Sequence, residues 1–270
     1  MYIIFSLPIF VSYYKTKNIM ETLKDTQDED MNMFLSIIND TVDIILTRRV
    51  NYILNKLSNY EIEKDIFFNK RHNREYINLY YFKDNGSDDT ICLLAHHDIN
   101  NPKSINANDN SASIINLINL ITKYDLNLNK NILIAFTDAE EIVDIRNNGA
   151  YRLGERINKG DFKNVEVAIN LELTAFGNNI WYDEDTIISP LLKELDSHQV
   201  KIPFNDSVSL RACNISSVCI GIITDDDINQ INYNGFCDTW RLCHSIEDNK
   251  YDSNDMKILV DKIYNIIKNL

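Results

Sequence analysis

The residues able to do chemistry in this chain gather in five short pieces. His96-His97-Asp98 closes one apolar run, and Asp138-Ala139-Glu140-Glu141 closes another. A third apolar run, Val165 to Leu173, carries Glu172 near its end. Asn106-Ala107-Asn108-Asp109-Asn110 stands directly before a helical pattern, and His244-Ser245-Ile246-Glu247-Asp248 stands before the last one. Imidazole and carboxylate without thiolate suit zinc, with cobalt or manganese as substitutes. Two divalent ions bridged by one carboxylate need about one imidazole and one further carboxylate each. Such a centre activates water near neutral pH, and a free carboxylate beside it takes the proton.

Taken singly, each piece has a plainer reading. Asp-Ala-Glu-Glu is an ordinary solvated turn, and Asp109 ahead of Ser111 and Ala112 reads as a helix cap or first-turn acid. His96, His97 and His244 are no more than surface histidines on that view. Glu172 resists it, because a carboxylate among apolar neighbours is costly unless paired or bound to metal.

The elements that must position these pieces follow from hydrophobic spacing. Met33 to Leu57 has apolar residues at helical intervals and reads as one or two helices. Strands are expected at Ile66–Phe68, Tyr76–Phe82, Thr90–Ala95, Ile132–Thr137, Val165–Leu173 and Val218–Ile223. Helices are expected at Ser111–Tyr124, Gly149–Ile157, Ile187–Leu195 and Asp255–Leu270. Near-continuous apolar strands suit the interior of a sheet covered on both faces. Alternation with helices then predicts an α/β fold, a three-layer α/β/α sandwich around a mixed, mainly parallel sheet. Ligands of such sheets bind beyond the carboxyl ends of the strands, where three of the five pieces fall.

Composition narrows the partners. With Lys plus Arg at 27 against Asp plus Glu at 40, the net charge is -13, which argues against nucleic acid. Cys92, Cys213, Cys219, Cys237 and Cys243 lack zinc-ribbon or CxxC spacing, and the odd count fits reduced thiols in the cytoplasm, although Cys237 and Cys243 could pair. Met1 to Tyr14 is apolar but lacks a basic start and a cleavage site, and Pro8 interrupts it. Secretion is the alternative if that head is a signal, and Met20 is a second candidate start. No stable membrane association is expected, since no window of twenty apolar residues follows the head. Residues 1–30 read as an N-terminal extension and 31–270 as one catalytic domain; oligomeric state is not legible.

The order and context of the five pieces resemble the co-catalytic zinc aminopeptidase family, the aminopeptidase Y and bacterial leucyl aminopeptidase type. That family also contains glutaminyl cyclases, glutamate carboxypeptidases and the non-catalytic transferrin receptor ectodomain. The resemblance runs from about Met33 to Leu270. The family's His-x-Asp is matched by His96-His97-Asp98, which implies His96 as ligand and Asp98 as the partner orienting its ring. Its Gly-Ala-Asp/Asn-Asp-Asn-Ala-Ser-Gly is matched by Asn106 to Ser113, implying Asp109 as the bridging carboxylate. Glu140 resembles the general base and Glu141 a ligand; Asn170-Leu171-Glu172 supplies another, and His244, in the His-Thr-x-x-Asp match, the last. The resemblance thus implies two zinc ions, one on His96 and Glu172, one on Glu141 and His244, with Asp109 between them.

Some positions depart from the family pattern. Asn106 and Ser113 replace its flanking glycines, and Glu172 stands where aspartate is commoner. Asn205-Asp206-Ser207 resembles a Ser-Asp-His stretch without its histidine; no tyrosine before it matches the family's oxyanion-stabilising one, and Tyr233 is taken as the candidate. The activity implied is removal of N-terminal residues from peptides. Glutaminyl cyclisation, which those members perform with a single zinc, is the alternative, as is carboxypeptidase or deacylase action on the same fold. A binding protein without chemistry would be expected to have lost ligands, and every ligand position is filled.

Overall fold

The apolar runs of the sequence become strands of one eight-stranded sheet with order β1-β2-β4-β3-β5-β8-β6-β7. The strands are β1 (Ile62–Asn69), β2 (Arg74–Lys83), β3 (Asp89–His96), β4 (Asn131–Thr137), β5 (Asn164–Leu171), β6 (Asn179–Tyr182), β7 (His198–Gln199) and β8 (Ser217–Ile223). A computed structural model describes residues 28–183, 188–194, 197–200 and 204–270. The apolar head Met1 to Tyr14, Met20 and the ends Ile187 and Leu195 of one expected helix lie outside the described residues.

The four central strands, β4-β3-β5-β8, run parallel, and β3 pairs His96 with Thr137 of β4 at the carboxyl rim. β2 pairs antiparallel with both β1 and β4, and β6 antiparallel with β8, so the sheet is mixed as expected. All seven residues of β4 and of β8 are buried, as strands covered on both faces must be.

Strand alternation sorts the core into two layers. Ile91, Leu93 and Ala95 of β3 face one side with Ile132, Ile134 and Phe136 of β4. There they pack on the helix over 28–35 (α1), α2 (Val42–Lys56), α3 (Ala112–Lys123) and α9 (Ser253–Asn269). Cys92 and Leu94 face the other side with Leu133 and Ala135, against α4 (Gly149–Lys159) and α6 (Asp206–Ala212). Trp181, Cys219 and Ile223 extend that second layer under α7 (Asp225–Asn234) and α8 (Asp238–Leu242). The result is the α/β sandwich that the alternating pattern predicts, with α5 (Ser189–Glu194) contributing Leu192 to the first layer.

Several elements exceed or escape the sequence reading. β1 begins at Ile62 rather than Ile66, because Glu63 and Lys64 are exposed positions of an edge strand. The short strands β6 and β7 and the helices α6, α7 and α8 sit in stretches too polar or too short for periodicity to declare. α7 does carry a local signal: Thr224 and Asp227 form a capping box at its start.

Candidate metal centre

Each functional piece is delivered to the carboxyl rim of the sheet. His96 is the last residue of β3, Glu140 and Glu141 follow β4, and Glu172 is the first residue beyond β5. Asp109 sits in a π-helical turn, Ala107–Ser111, that leads into α3, and its own φ/ψ of -116° and 86° leave the helical range. His244 comes from the loop between α8 and α9. Asn106, Ala139, Leu173 and His244 all adopt positive φ, between 51° and 67°, although none is glycine. Each adjoins or belongs to the site, and such left-handed conformations persist only where the surroundings over-determine them.

The rim gathers these side chains into two triads that share a residue. His96 Nε2 lies 3.1 Å from Asp109 Oδ1 and 3.2 Å from Glu172 Oε1. His244 Nε2 lies 2.9 Å from Asp109 Oδ2 and 2.8 Å from Glu141 Oε2. The donor atoms of His96, Asp109 and Glu172, and those of Asp109, Glu141 and His244, fall within 4.8 Å of one another. Asp109 therefore presents one oxygen to each triad. All five residues predicted as ligands are brought together in the pairing that the resemblance implies.

Three observations test whether this set fits a metal. A tetrahedral ion with bonds of about 2.0–2.1 Å spaces its ligand atoms roughly 3.3 Å apart, close to the separations seen here. The Glu141–His244 contact is close in distance but poorly directed, so neither Glu141 oxygen accepts a hydrogen bond although the residue is buried. A buried carboxylate with idle oxygens is expensive unless a cation claims them. The third observation is the donor chemistry, two imidazoles and three carboxylates without a thiolate, which suits zinc.

Electrostatics follow from crowding. Burial opposes charge on His96, but the Glu172 carboxylate and the hydrogen bonds to Asp109, Asp98 and Glu172 raise it well above the usual imidazole range. Close contact with the Asp109 and Glu141 carboxylates pushes His244 up to about 10. Despite its burial, Asp109 is held below the usual carboxylate range by His244 and His96. Burial and the Asp109 charge push Glu141 up to about 7, against the pull of His244. Burial pushes Glu140 well above the carboxyl range, and no hydrogen bond among the described residues ties up its carboxylate.

Two further aspartates brace the set. Asp98 Oδ1 is 3.2 Å from His96 Nδ1, as expected, and the same carboxylate accepts the backbone N–H groups of Glu140 (3.1 Å) and Glu141 (3.0 Å). One side chain thus orients the ring and fixes the turn that carries both glutamates. Asp248 accepts the N–H groups of Asn108 (2.8 Å) and Asp109 (3.0 Å), pinning the π-helical turn. His97, the neighbour of His96 on the strand, is turned away, with Nε2 2.8 Å from the Ile77 carbonyl.

Other expectations fare differently. Tyr233 stands 89% exposed on α7, and no described contact ties it to the ligand set. Cys237 and Cys243 are unpaired, at opposite ends of α8. Asp206, one of the Asn205-Asp206-Ser207 stretch, was not singled out by residue chemistry, yet it is fully buried at the amino end of α6. Its carboxylate accepts from Thr137 Oγ1 at 2.5 Å and Asn148 Nδ2 at 3.3 Å, and burial pushes it up to about 7. Glycine is obligatory at Gly221, where a Cβ would fall 2.1 Å from the Glu172 carbonyl oxygen and 2.6 Å from the Trp181 ring.

Residues 79–209 match the model of Peptidase family M28, a stretch that holds His96, Asp109, Glu140, Glu141 and Glu172. Among solved structures, Porphyromonas gingivalis glutaminyl cyclase is similar with a TM-score of 0.71 at 15% identity, covering 91% of this chain and 98% of its own. A leucine aminopeptidase precursor from Bacteroides thetaiotaomicron has a TM-score of 0.68 at 18% identity, covering 92% and 97%. A Zn-dependent exopeptidase from Parabacteroides distasonis has a TM-score of 0.68 at 15% identity, covering 92% and 98%. No curated protein matches this chain. The family match agrees with the expected resemblance and with a metallo-exopeptidase as the type of enzyme, and the solved structures share the expected α/β fold. The family match supports a peptide substrate class, and the donor set itself suits zinc. Among the described residues no helix is long and apolar enough to cross a membrane.

Proposed function

We propose that this chain, a metallo-exopeptidase carrying the M28 signature over 79–209, removes N-terminal residues from peptides with two zinc ions held through a shared Asp109. His96, Asp109 and Glu172 would hold one ion, and Asp109, Glu141 and His244 the other, within one catalytic unit over residues 31–270. The observation that carries this reading is the division of the two Asp109 oxygens between two imidazole–carboxylate pairs. Bound zinc supplies Lewis acidity and makes water nucleophilic near neutral pH.

The protein's own groups supply the rest. Glu140 takes the proton of the attacking water on its carboxylate and returns it to the leaving amine. Burial raises its carboxyl above the ordinary range, which makes it a stronger proton acceptor than an exposed glutamate. Asp98 keeps the Glu140–Glu141 turn and the His96 ring in fixed relation, so base and ligands move as one body.

The test is a substrate panel with metal analysis. Zinc-loaded protein should cleave aminoacyl amides that have a free amine and spare their N-acetyl counterparts. Glu140→Gln should lower kcat by about 10²–10⁴-fold while both ions stay bound. Hydrolysis of the acetylated series instead would favour carboxypeptidase or deacylase action. Similarity to a glutaminyl cyclase fold motivates the second reading, cyclisation. One tightly held zinc and cyclised product from an N-terminal Gln peptide would establish it in place of the first.

A further inference from the structure

Arg49 lies in the middle of α2, only 1% exposed, beneath the metal centre. Its guanidinium stacks 4.4 Å from the centroid of the Phe34 ring. Nη1 donates to Ser111 Oγ at 3.2 Å, while Nε and Nη2 have no hydrogen-bond partner among the described residues. Ser111 is itself fully buried and closes the π-helical turn that carries Asp109. A buried guanidinium with idle donors is costly, and some opposing charge must offset it.

That charge stands close by without touching. The carboxylates of Asp98, Glu141, Asp109 and Asp248 all act to keep Arg49 protonated. Burial brings the group down only to about 10, so it is a permanent cation at any physiological pH. A guanidinium in direct contact would occupy carboxylate lone pairs with its fork of donors. Spaced off by Ser111, it lends its field to the carboxylates and leaves their oxygens free for a metal.

We infer that Arg49 is a positioning residue of the metal centre, a fixed positive charge that holds the crowded carboxylates together before metal arrives and anchors the Asp109 turn through Ser111. This rests on the two-zinc reading of the site. The carboxylates of Asp98, Asp109, Glu141 and Asp248 repel one another and resist burial, and the two imidazoles in contact with three of them offset only part of that charge. Arg49 relieves both effects in the metal-free protein. Once zinc is bound, the same charge opposes the incoming ions, so Arg49 trades some metal affinity for a preformed site.

The experiment compares full-length wild type, Arg49→Met, Arg49→Lys and Ser111→Ala. Two readouts are taken at pH 8: zinc affinity by chelator competition, and melting temperature with and without zinc. Arg49→Met should melt several degrees lower without metal yet bind zinc about tenfold more tightly, since one nearby charge has been removed. Arg49→Lys should restore both values towards wild type. Ser111→Ala should lower the metal-free melting temperature and leave zinc affinity near wild type. Weaker or unchanged zinc binding in Arg49→Met overturns the inference, as does a higher metal-free melting temperature, which would mark a buried charge with no task. If Arg49→Met does not fold, Arg49→Gln is judged by the same criteria. Failure of the wild type to bind two zinc ions would strike the underlying reading instead, which keeps the two failures apart.

Discussion

The carboxylate of Asp248 accepts the backbone N–H of Asp109 at 3.0 Å, a bond that spans 139 positions of the chain. It ties the loop that carries His244 to the turn that carries the shared carboxylate, and the second oxygen of Asp248 repeats the hold on Asn108 at 2.8 Å. Partners of this kind set ligand orientation without touching the ion. Asp248→Ala should therefore lower zinc affinity by about 10–100-fold with the ligands intact. Chelator competition measures it, and an unchanged affinity would show that the turn holds itself.

The shared oxygens of Asp109 make a prediction about stoichiometry. His96→Ala and His244→Ala should each bind one zinc with reduced affinity, because each removes one imidazole from one triad. Asp109→Ala should bind none tightly, since it takes a ligand from both. Metal analysis after gel filtration reads all three counts. Two ions retained by Asp109→Ala would refute the bridging role.

The pH dependence of the metal-free protein has a definite sign. His244, raised from 6.5 to about 10, contributes stability that is fully present below pH 6.5 and lost as pH climbs through about 10. Glu141 and Asp206, both raised to about 7, favour the protonated fold and lose their contributions as pH rises from about 4 through 7. Asp109 and Asp98, which are depressed, act oppositely and only as pH falls below the ordinary range near 3.8. Metal-free protein should thus melt higher at pH 5 than at pH 9. Zinc, which competes with those protons, should stabilise it more at pH 9. Calorimetry with and without a chelator checks both statements, and a metal-free melting temperature that rises from pH 5 to 9 would contradict them.

Gly221 offers a test of the scaffold apart from its chemistry. A methyl group there has only 2.1 Å to the Glu172 carbonyl oxygen and 2.6 Å to Trp181, and neither backbone nor buried indole yields easily. Gly221→Ala should cost about 1–3 kcal/mol or more. Because the displaced atom belongs to Glu172, zinc affinity should fall along with the melting temperature. A variant as stable as wild type would mean that β8 can shift away.

What the sequence discloses and what it withholds have physical reasons. His96, Glu141 and Glu172 are legible because each ends a buried apolar strand, and a sheet rim collects whatever its parallel strands end in. The preference for His96 over His97 comes from the His-x-Asp match, and strand alternation then sends the two neighbouring side chains to different partners. Asp206 escapes because its burial depends on α6 docking against β4 and α4, a tertiary event with no local mark. Arg49 did leave a trace. It stands four residues from Ile45 and four from Ile53, on the buried stripe of α2, where an arginine breaks the pattern. β6 and β7, of four and two residues, are too short for any period to show.

The division of Asp109 between two triads has a consequence for how the halves can differ. Sites that share a ligand are thermodynamically linked, and linkage is reciprocal: whatever factor one occupant imposes on the other is returned in full. Neither half can then be tuned in isolation. On the two-zinc reading, a change at Glu172 that alters the ion beside His96 registers beside His244, and the pair behaves as one element with two addresses.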